Sequence, residues 1–302
     1  QNHFLRPEPW RESFRELFMS SSGVRERLAA HFAGPEGRDP PVHLYLTRSN
    51  VELGHLEFST NWPGLRTATR RHLGSDEAGE TEPVVPPDRY EVVGEGDLDE
   101  ALLRTRRAVF ASMDLPPLFP YVPVRDGRTE WFEDGGVVKN LPVRFGTQIE
   151  GCDLLFVLPL NASFAEPVNR TSVTKRLFRV MNVRQGVMER DSLKMVYLYN
   201  ELAELRRKLE EADAADPETP LERTALRREH EPVSVFCIVP DAPLAVETAE
   251  FWKAEAAGEA FDLMHEATAT ELRENFERDT DPSWIRMTRV SPLGERTWFD
   301  DF

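Results

Sequence analysis

The sequence predicts an α/β fold with three layers, α/β/α, around a mostly parallel central sheet. Two continuous apolar runs carry that expectation. Residues 154–160 (Leu-Leu-Phe-Val-Leu-Pro-Leu) and 233–239 (Val-Ser-Val-Phe-Cys-Ile-Val) have the look of strands covered on both faces. Stretches with apolar residues at helical spacing precede, separate and follow them, and such strand-helix alternation favours a layered arrangement. With 302 residues, of which 40% are hydrophobic and 30% charged, the chain is long enough to bury a substantial core.

The first element expected is a pair of helices. Trp10, Phe14, Leu17 and Phe18, then Val24, Leu28 and Phe32, recur at helical spacing, and Ser20 to Ser22 break the run and can cap the second helix. Residues 42–47 are β-branched and aromatic, and Gly54 separates them from Leu56, Glu57 and Phe58, so two strands joined by a tight connection are predicted. Residues 74–89 are polar, acidic and proline-rich, which reads as a surface loop. Asp97 and Glu100 then stand at capping-box spacing before a helix whose buried face would be Leu102, Leu103, Ala108 and Val109.

Beyond residue 160 a long helix is expected. Met188, Met195, Leu198, Tyr199, Leu202, Leu205 and Leu209 fall at steps of three, four or seven, which is read as core packing, because the repeat persists for too few heptads to make a coiled-coil seam. Residues 210–231 read as a charged surface loop with a short helix, and residues 247–276 as an amphipathic helix broken near Gly258. Nothing in the tail from Asp279 is legible.

Charge and motifs remove several functions. A net charge of -16 argues against a nucleic-acid partner, since phosphate binding requires a basic face and the arginines here are interleaved with acids. No H-E-x-x-H, paired-cysteine or Cys/His zinc spacing occurs, and residues 96–99 lack the glycine and glutamate of a calcium loop, so no metal is expected. Neither G-x-x-x-x-G-K-[ST] nor G-x-G-x-x-G is present, so no nucleotide cofactor is expected. Cys152 and Cys237 each lie in or beside an apolar run and read as buried, reduced thiols. Two Asn-x-Ser/Thr triplets, at Asn161 and Asn169, match a glycosylation pattern short enough to arise by chance.

The candidate for chemistry is Asp134. It stands in Glu133-Asp134-Gly135-Gly136-Val137-Val138-Lys139-Asn140-Leu141-Pro142, where a strand ends and a helix is expected to begin after Asn140 or Pro142. Gly135 and Gly136 allow a sharp turn and a close approach to the carboxylate, and a helix start supplies free N–H donors. Asn140 is placed to brace the turn. Taken alone, Asp-Gly-Gly is an ordinary turn.

Its surroundings give it more weight. Upstream runs Ala111-Ser112-Met113-Asp114-Leu115-Pro116-Pro117-Leu118-Phe119-Pro120, followed by Asp126-Gly127-Arg128 and Trp131-Phe132; downstream is Asn140-Leu141-Pro142. With residues 44–59 and 152–160, these segments resemble the back part of a patatin-like phospholipase domain, over roughly residues 42–161. The resemblance implies a lipid acyl hydrolase acting on fatty-acyl esters through a serine-aspartate dyad, with Asp134 as the base. It implies no cofactor. Peripheral contact with a membrane and a cytoplasmic or membrane-surface location would accompany that substrate; the oligomeric state is left open.

Two parts of that dyad chemistry are missing from these residues. No G-x-S-x-G and no run of three glycines occurs, and Ser20-Ser21-Ser22-Gly23 lacks both the leading glycine and the preceding strand that a nucleophile elbow needs. The chain opens with Gln1, and its matches begin where the family's nucleophile helix would already have passed. The expectation is therefore an excerpt, with residues 1–170 as the C-terminal part of the catalytic domain, incomplete on its N-terminal side, and 171–302 as a mostly helical continuation with one further strand. Such a piece would be inactive alone and poorly soluble through an unpaired sheet edge. The alternative is a non-catalytic module that keeps the fold to bind lipid or a protein.

Overall fold

The computed structural model describes residues 8–16, 23, 25–27, 39–70, 82–116, 119–122, 130–139, 141–158, 173–215, 233–237 and 254–276. Helices and mixed sheet make this an α/β chain. It divides into two compact units, residues 1–140 and 141–302. The boundary expected near residue 170 lies outside the described residues.

The first unit is built on a four-stranded sheet. Strand β1 (Tyr45–Asn50) runs into β2 (His55–Thr60) through a turn that Asn50 organises: its Oδ1 accepts from the N–H groups of Glu52 and Leu53, and Gly54 supplies the left-handed residue at φ 65°. Two short strands, β3 (Thr69–Arg70) and β4 (Glu82–Pro83), form a separate antiparallel pair. Strand β5 (Tyr90–Val92) adds parallel to β2, and β6 (Phe132–Asp134) adds antiparallel to the far side of β1, giving the order β5-β2-β1-β6. The sheet is thus mixed rather than mostly parallel. A short hairpin at Gly54 forces β1 and β2 to run oppositely, whereas parallel neighbours need a long crossover.

Of the helical pair expected at the start, helix α1 (Glu8–Arg15) is described, with residues 23 and 25–27 of the second also helical. Helix α2 (Leu98–Met113) packs on β1 and β6. Its start is the predicted one: Asp97 Oδ1 accepts from the N–H of Glu100 at 2.9 Å. The buried face is Ala101, Leu102, Thr105, Ala108 and Ala111, whose three alanines let the helix sit close to the strands; Leu102 and Ala108 were expected there, whereas Leu103 and Val109 are only half-buried. Ala111, Val122 and Phe132 form the apolar cluster beneath the end of this helix.

In the second unit, β7 (Leu154–Val157) pairs parallel with β8 (Ser234–Cys237) as a two-stranded ladder. Burial on both faces was expected here, but Phe156 and Leu158 are 49% and 62% exposed; alternate side chains point to opposite faces, and a helix covers one of them. That helix, α3 (Val173–Ala215), contributes Leu193 and Val196 to a cluster with Val157 and Val235. Asn200 fixes the start of β8, donating to the carbonyl of Val233 at 2.7 Å and accepting from its N–H at 2.9 Å.

The methionine-leucine stripe of α3 faces outward. Met195, Leu198, Leu202, Leu205 and Leu209 are all exposed, while Glu189, Leu193, Val196, Asn200 and Ala203 form the inward face. Core packing, the role expected of the stripe, belongs to the opposite side of the same helix. Helix α4 (Ala254–Phe276) runs through Gly258 without the break expected there, because flanking alanines sustain the helix against a single glycine's cost of about 1 kcal/mol. Most of residues 17–38 and 216–232, and all of the tail from Asp279, lie outside the described residues, as do both Asn-x-Ser/Thr triplets. Among the described residues, no helix is long and apolar enough to cross a membrane.

Candidate functional site

Asp134 closes β6. It pairs across the sheet with Arg48 of β1, which in turn pairs with Glu57 of β2, so three charged residues stand in one row on one face. Arg48 is fully buried over the ring of Phe132, its guanidinium 4.5 Å from the ring centre. The guanidinium donates to Ser59 Oγ and, at 3.1 Å, to Glu91 Oε2, and it lies 3.6 Å from Glu57 Oε2. Glu57 Oε1 meets Asn50 Nδ2 at 2.9 Å and His55 Nε2 at 3.0 Å. On that face the guanidinium thus meets acceptors of β2 and β5.

The two glycines after Asp134 form a single 3-10 turn, Gly135–Val137. Asp134 caps it, with Oδ1 accepting from the N–H of Gly136 at 2.7 Å. The donor expected near the carboxylate therefore comes from the Asp-Gly-Gly turn itself. A single π-helical turn, Phe145–Ile149, stands where the next helix was expected. Gly135 and Gly136 are both buried, and the space a side chain at Gly135 would need is filled by Thr47 of β1. Ser49, also on β1, donates to the backbone carbonyl of Asp134 at 2.8 Å, so this buried hydroxyl is turned to the main chain rather than to the carboxylate. Asn140 lies outside the described residues, as do Ser20, Ser21 and Ser22.

Burial pushes the Asp134 carboxyl above its ordinary range, and the Gly136 N–H partly offsets that push. Among the described residues no group hydrogen-bonds Oδ2. The arrangement is a half-buried carboxylate with one oxygen committed to the backbone and the other open to a proton donor, which suits a general base.

Asp114 is the neighbour that sequence reasoning missed. It ends α2, accepts the backbone N–H of Asp134 on its own carbonyl at 3.1 Å, and is 5% exposed. Its Oδ2 is buried without a hydrogen-bond partner among the described residues. Burial raises its carboxyl to about 7; Arg11 opposes the rise, and Glu133 and Asp134 add to it. Glu133 is likewise raised by burial and by Asp134. Asp114 therefore holds its proton up to about neutrality, so its charge does not burden Asp134 below that point. A carboxylate ending an amphipathic helix just before Pro116 was the available signal.

Cys152 is a half-buried free thiol, pushed up by burial and by the charges of Glu150 and Asp153, while the Cys237 side chain lies outside those described. Among the described residues no group of three His, Cys, Asp or Glu side chains could hold a metal ion. In comparison with known proteins, no protein-family model matches the chain and no curated protein matches it.

Proposed function

We propose that this chain is the aspartate-bearing part of a patatin-like lipid acyl hydrolase, with Asp134 as the base of a serine-aspartate dyad. In this reading residues 1–170 belong to a three-layer α/β/α catalytic domain whose strands are completed by chain outside these 302 residues. The observation that carries the reading is Asp134 itself: burial raises its affinity for a proton, Gly136 holds one oxygen, and Oδ2 is open. A serine hydroxyl brought to Oδ2 would give up its proton as its oxygen attacked the acyl carbonyl, forming an acyl-enzyme and releasing the alcohol. Asp134 would pass that proton to the departing alcohol, then take a proton from the water that attacks the acyl-enzyme and hand it to the serine oxygen as the fatty acid leaves. Fatty-acyl esters such as phospholipids or glycerides are the substrate class, met at a membrane surface.

The experiment has two steps. The coding sequence upstream of Gln1 is read for a strand-helix G-x-S-x-G turn, and the complete gene product is assayed on phospholipid and short-chain esters. Asp134→Asn should abolish hydrolysis while circular dichroism stays unchanged; retained turnover overturns the base assignment. One observation favours a second reading. No G-x-S-x-G occurs in residues 1–302, which suits a non-catalytic module that binds lipid or a protein, and a start codon close to Gln1 with no ester hydrolysis would support it.

A further inference from the structure

Four arginines converge on one cavity of the first unit. Arg11 and Arg15 stand one turn apart on α1, and Arg106 and Arg107 are adjacent on α2; between them is an open cavity of about 430 Å³ with Phe110 and Val122 also in its wall. Two acids, Glu8 and Glu12, share the lining, so four positive charges face two negative ones. This inverts the charge of the chain, which is -16 overall. Like charges one helical turn apart disfavour the helix that carries them. Among the described residues, no ion pair joins Arg11, Arg15 or Arg106 to a carboxylate. Burial and the positive charges of Arg107, Arg15 and Arg11 together push Arg106 below the ordinary arginine value. The crowding is thus felt at Arg106, the point where the two helices bring their charges together.

We propose that this four-arginine cavity binds a phosphate group carried on a compact, partly apolar ligand. Guanidinium forks match the oxygens of phosphate in pairs, and several forks around one anion replace its water more completely than a lysine cluster would. The cavity is larger than a bare phosphate requires, and the wall formed by Phe110 and Val122 offers the remainder an apolar surface. A neutral ligand would not offset the positive charges that press on Arg106. The inference stands apart from the hydrolase reading, because it concerns binding at α1 and α2 and requires no catalysis at Asp134.

The test is calorimetric titration of the full chain with three probes: inorganic phosphate, monomeric dihexanoyl phosphatidic acid, and dihexanoylglycerol. Phosphatidic acid should bind about tenfold more tightly than phosphate, both should weaken steeply with added salt, and dihexanoylglycerol should not bind. Phosphate binding as tightly as phosphatidic acid would overturn the apolar part of the ligand and leave the free anion as the occupant of the arginine site. The pair Arg11→Gln and Arg106→Gln should weaken both phosphate ligands about tenfold or more. Failure of both to bind, undiminished binding by that double variant, or equal binding of dihexanoylglycerol overturns the proposal. If the double variant does not fold, Glu12→Gln decides the matter: it removes a competing acid and should tighten phosphate binding about threefold, and unchanged affinity would count against the site.

Discussion

Gly135 lies so close to Thr47 that a Cβ on the glycine would stand 2.7 Å from the Thr47 Cβ and 2.8 Å from its carbonyl carbon. A side chain can rotate away from such a clash, but a strand backbone paired on both sides has nowhere to go. Since β1 is held between β2 and β6, Gly135→Ala should force the turn out of place and cost about 1–3 kcal/mol in urea unfolding. Gly258→Ala is the contrasting case: nothing lies within 4 Å of that position in α4, so the same substitution should raise stability by about 0.5–1 kcal/mol. Equal effects would show that the Thr47 contact does not restrain the turn after Asp134.

The second prediction concerns pH. An ordinary aspartate titrates at 3.8, and Asp114 in the folded chain titrates at about 7. Between those values the folded chain binds more protons than the unfolded one, so this residue lowers stability as pH rises through that window, and above it the loss stays constant. Asp114→Asn should therefore stabilise the chain at pH 8 by on the order of 2–4 kcal/mol, with the gain shrinking to nothing near pH 4. Thermal unfolding at the two pH values measures the difference. A gain of the same size at both would mean that the proton on Asp114 is not responsible.

What was legible in the sequence was local. The Asp97 cap spans three residues, and the Gly54 turn spans a handful; in each, the residue that dictates the backbone sits beside the backbone it dictates. The turn that Asp134 caps was local too, marked by the two glycines that follow it. Strand partners were not, because β6 joins β1 across some eighty residues of chain and no periodicity records which edge it will choose. Asp114 escaped for a similar reason: its unusual proton affinity comes from burial and from acids two strand residues long, Glu133 and Asp134, that only the fold brings to it. On α3 the repeat was seen but assigned to the wrong side, since Leu193, Val196 and Ala203 keep the same three-four rhythm as the outward leucines.

Arg48 yields the third prediction. It anchors Ser59, Glu91 and Glu57 from a fully buried position, and Glu57 is itself 1% exposed. Arg48→Ala would take the cation from a buried carboxylate and should cost about 3–5 kcal/mol. Arg48→Lys should recover little, because an ammonium cannot reach three acceptors from a rigid fork. Adding Glu57→Gln to Arg48→Ala should restore part of the loss, and a double-mutant cycle in urea reads that coupling. Strict additivity would show that the pair does not hold the sheet together.

The two faces of α3 supply the last test. Leu193 is 2% exposed and packs with Val157, Val196 and Val235, whereas Leu202 and Leu205 are 45% and 52% exposed on the other side. Truncating a packed leucine loses both its transfer energy and the contacts around the hole it leaves, so Leu193→Ala should cost about 2–5 kcal/mol. Leu202→Ala and Leu205→Ala should each cost less than about 1 kcal/mol, since half of each side chain already meets water. Chemical unfolding of the three variants at two protein concentrations separates the cases. A large loss at Leu202 or Leu205 that shrinks on dilution would mean that another molecule of the chain covers the outward leucines in solution, and one independent of concentration would place them in a core that these exposures exclude.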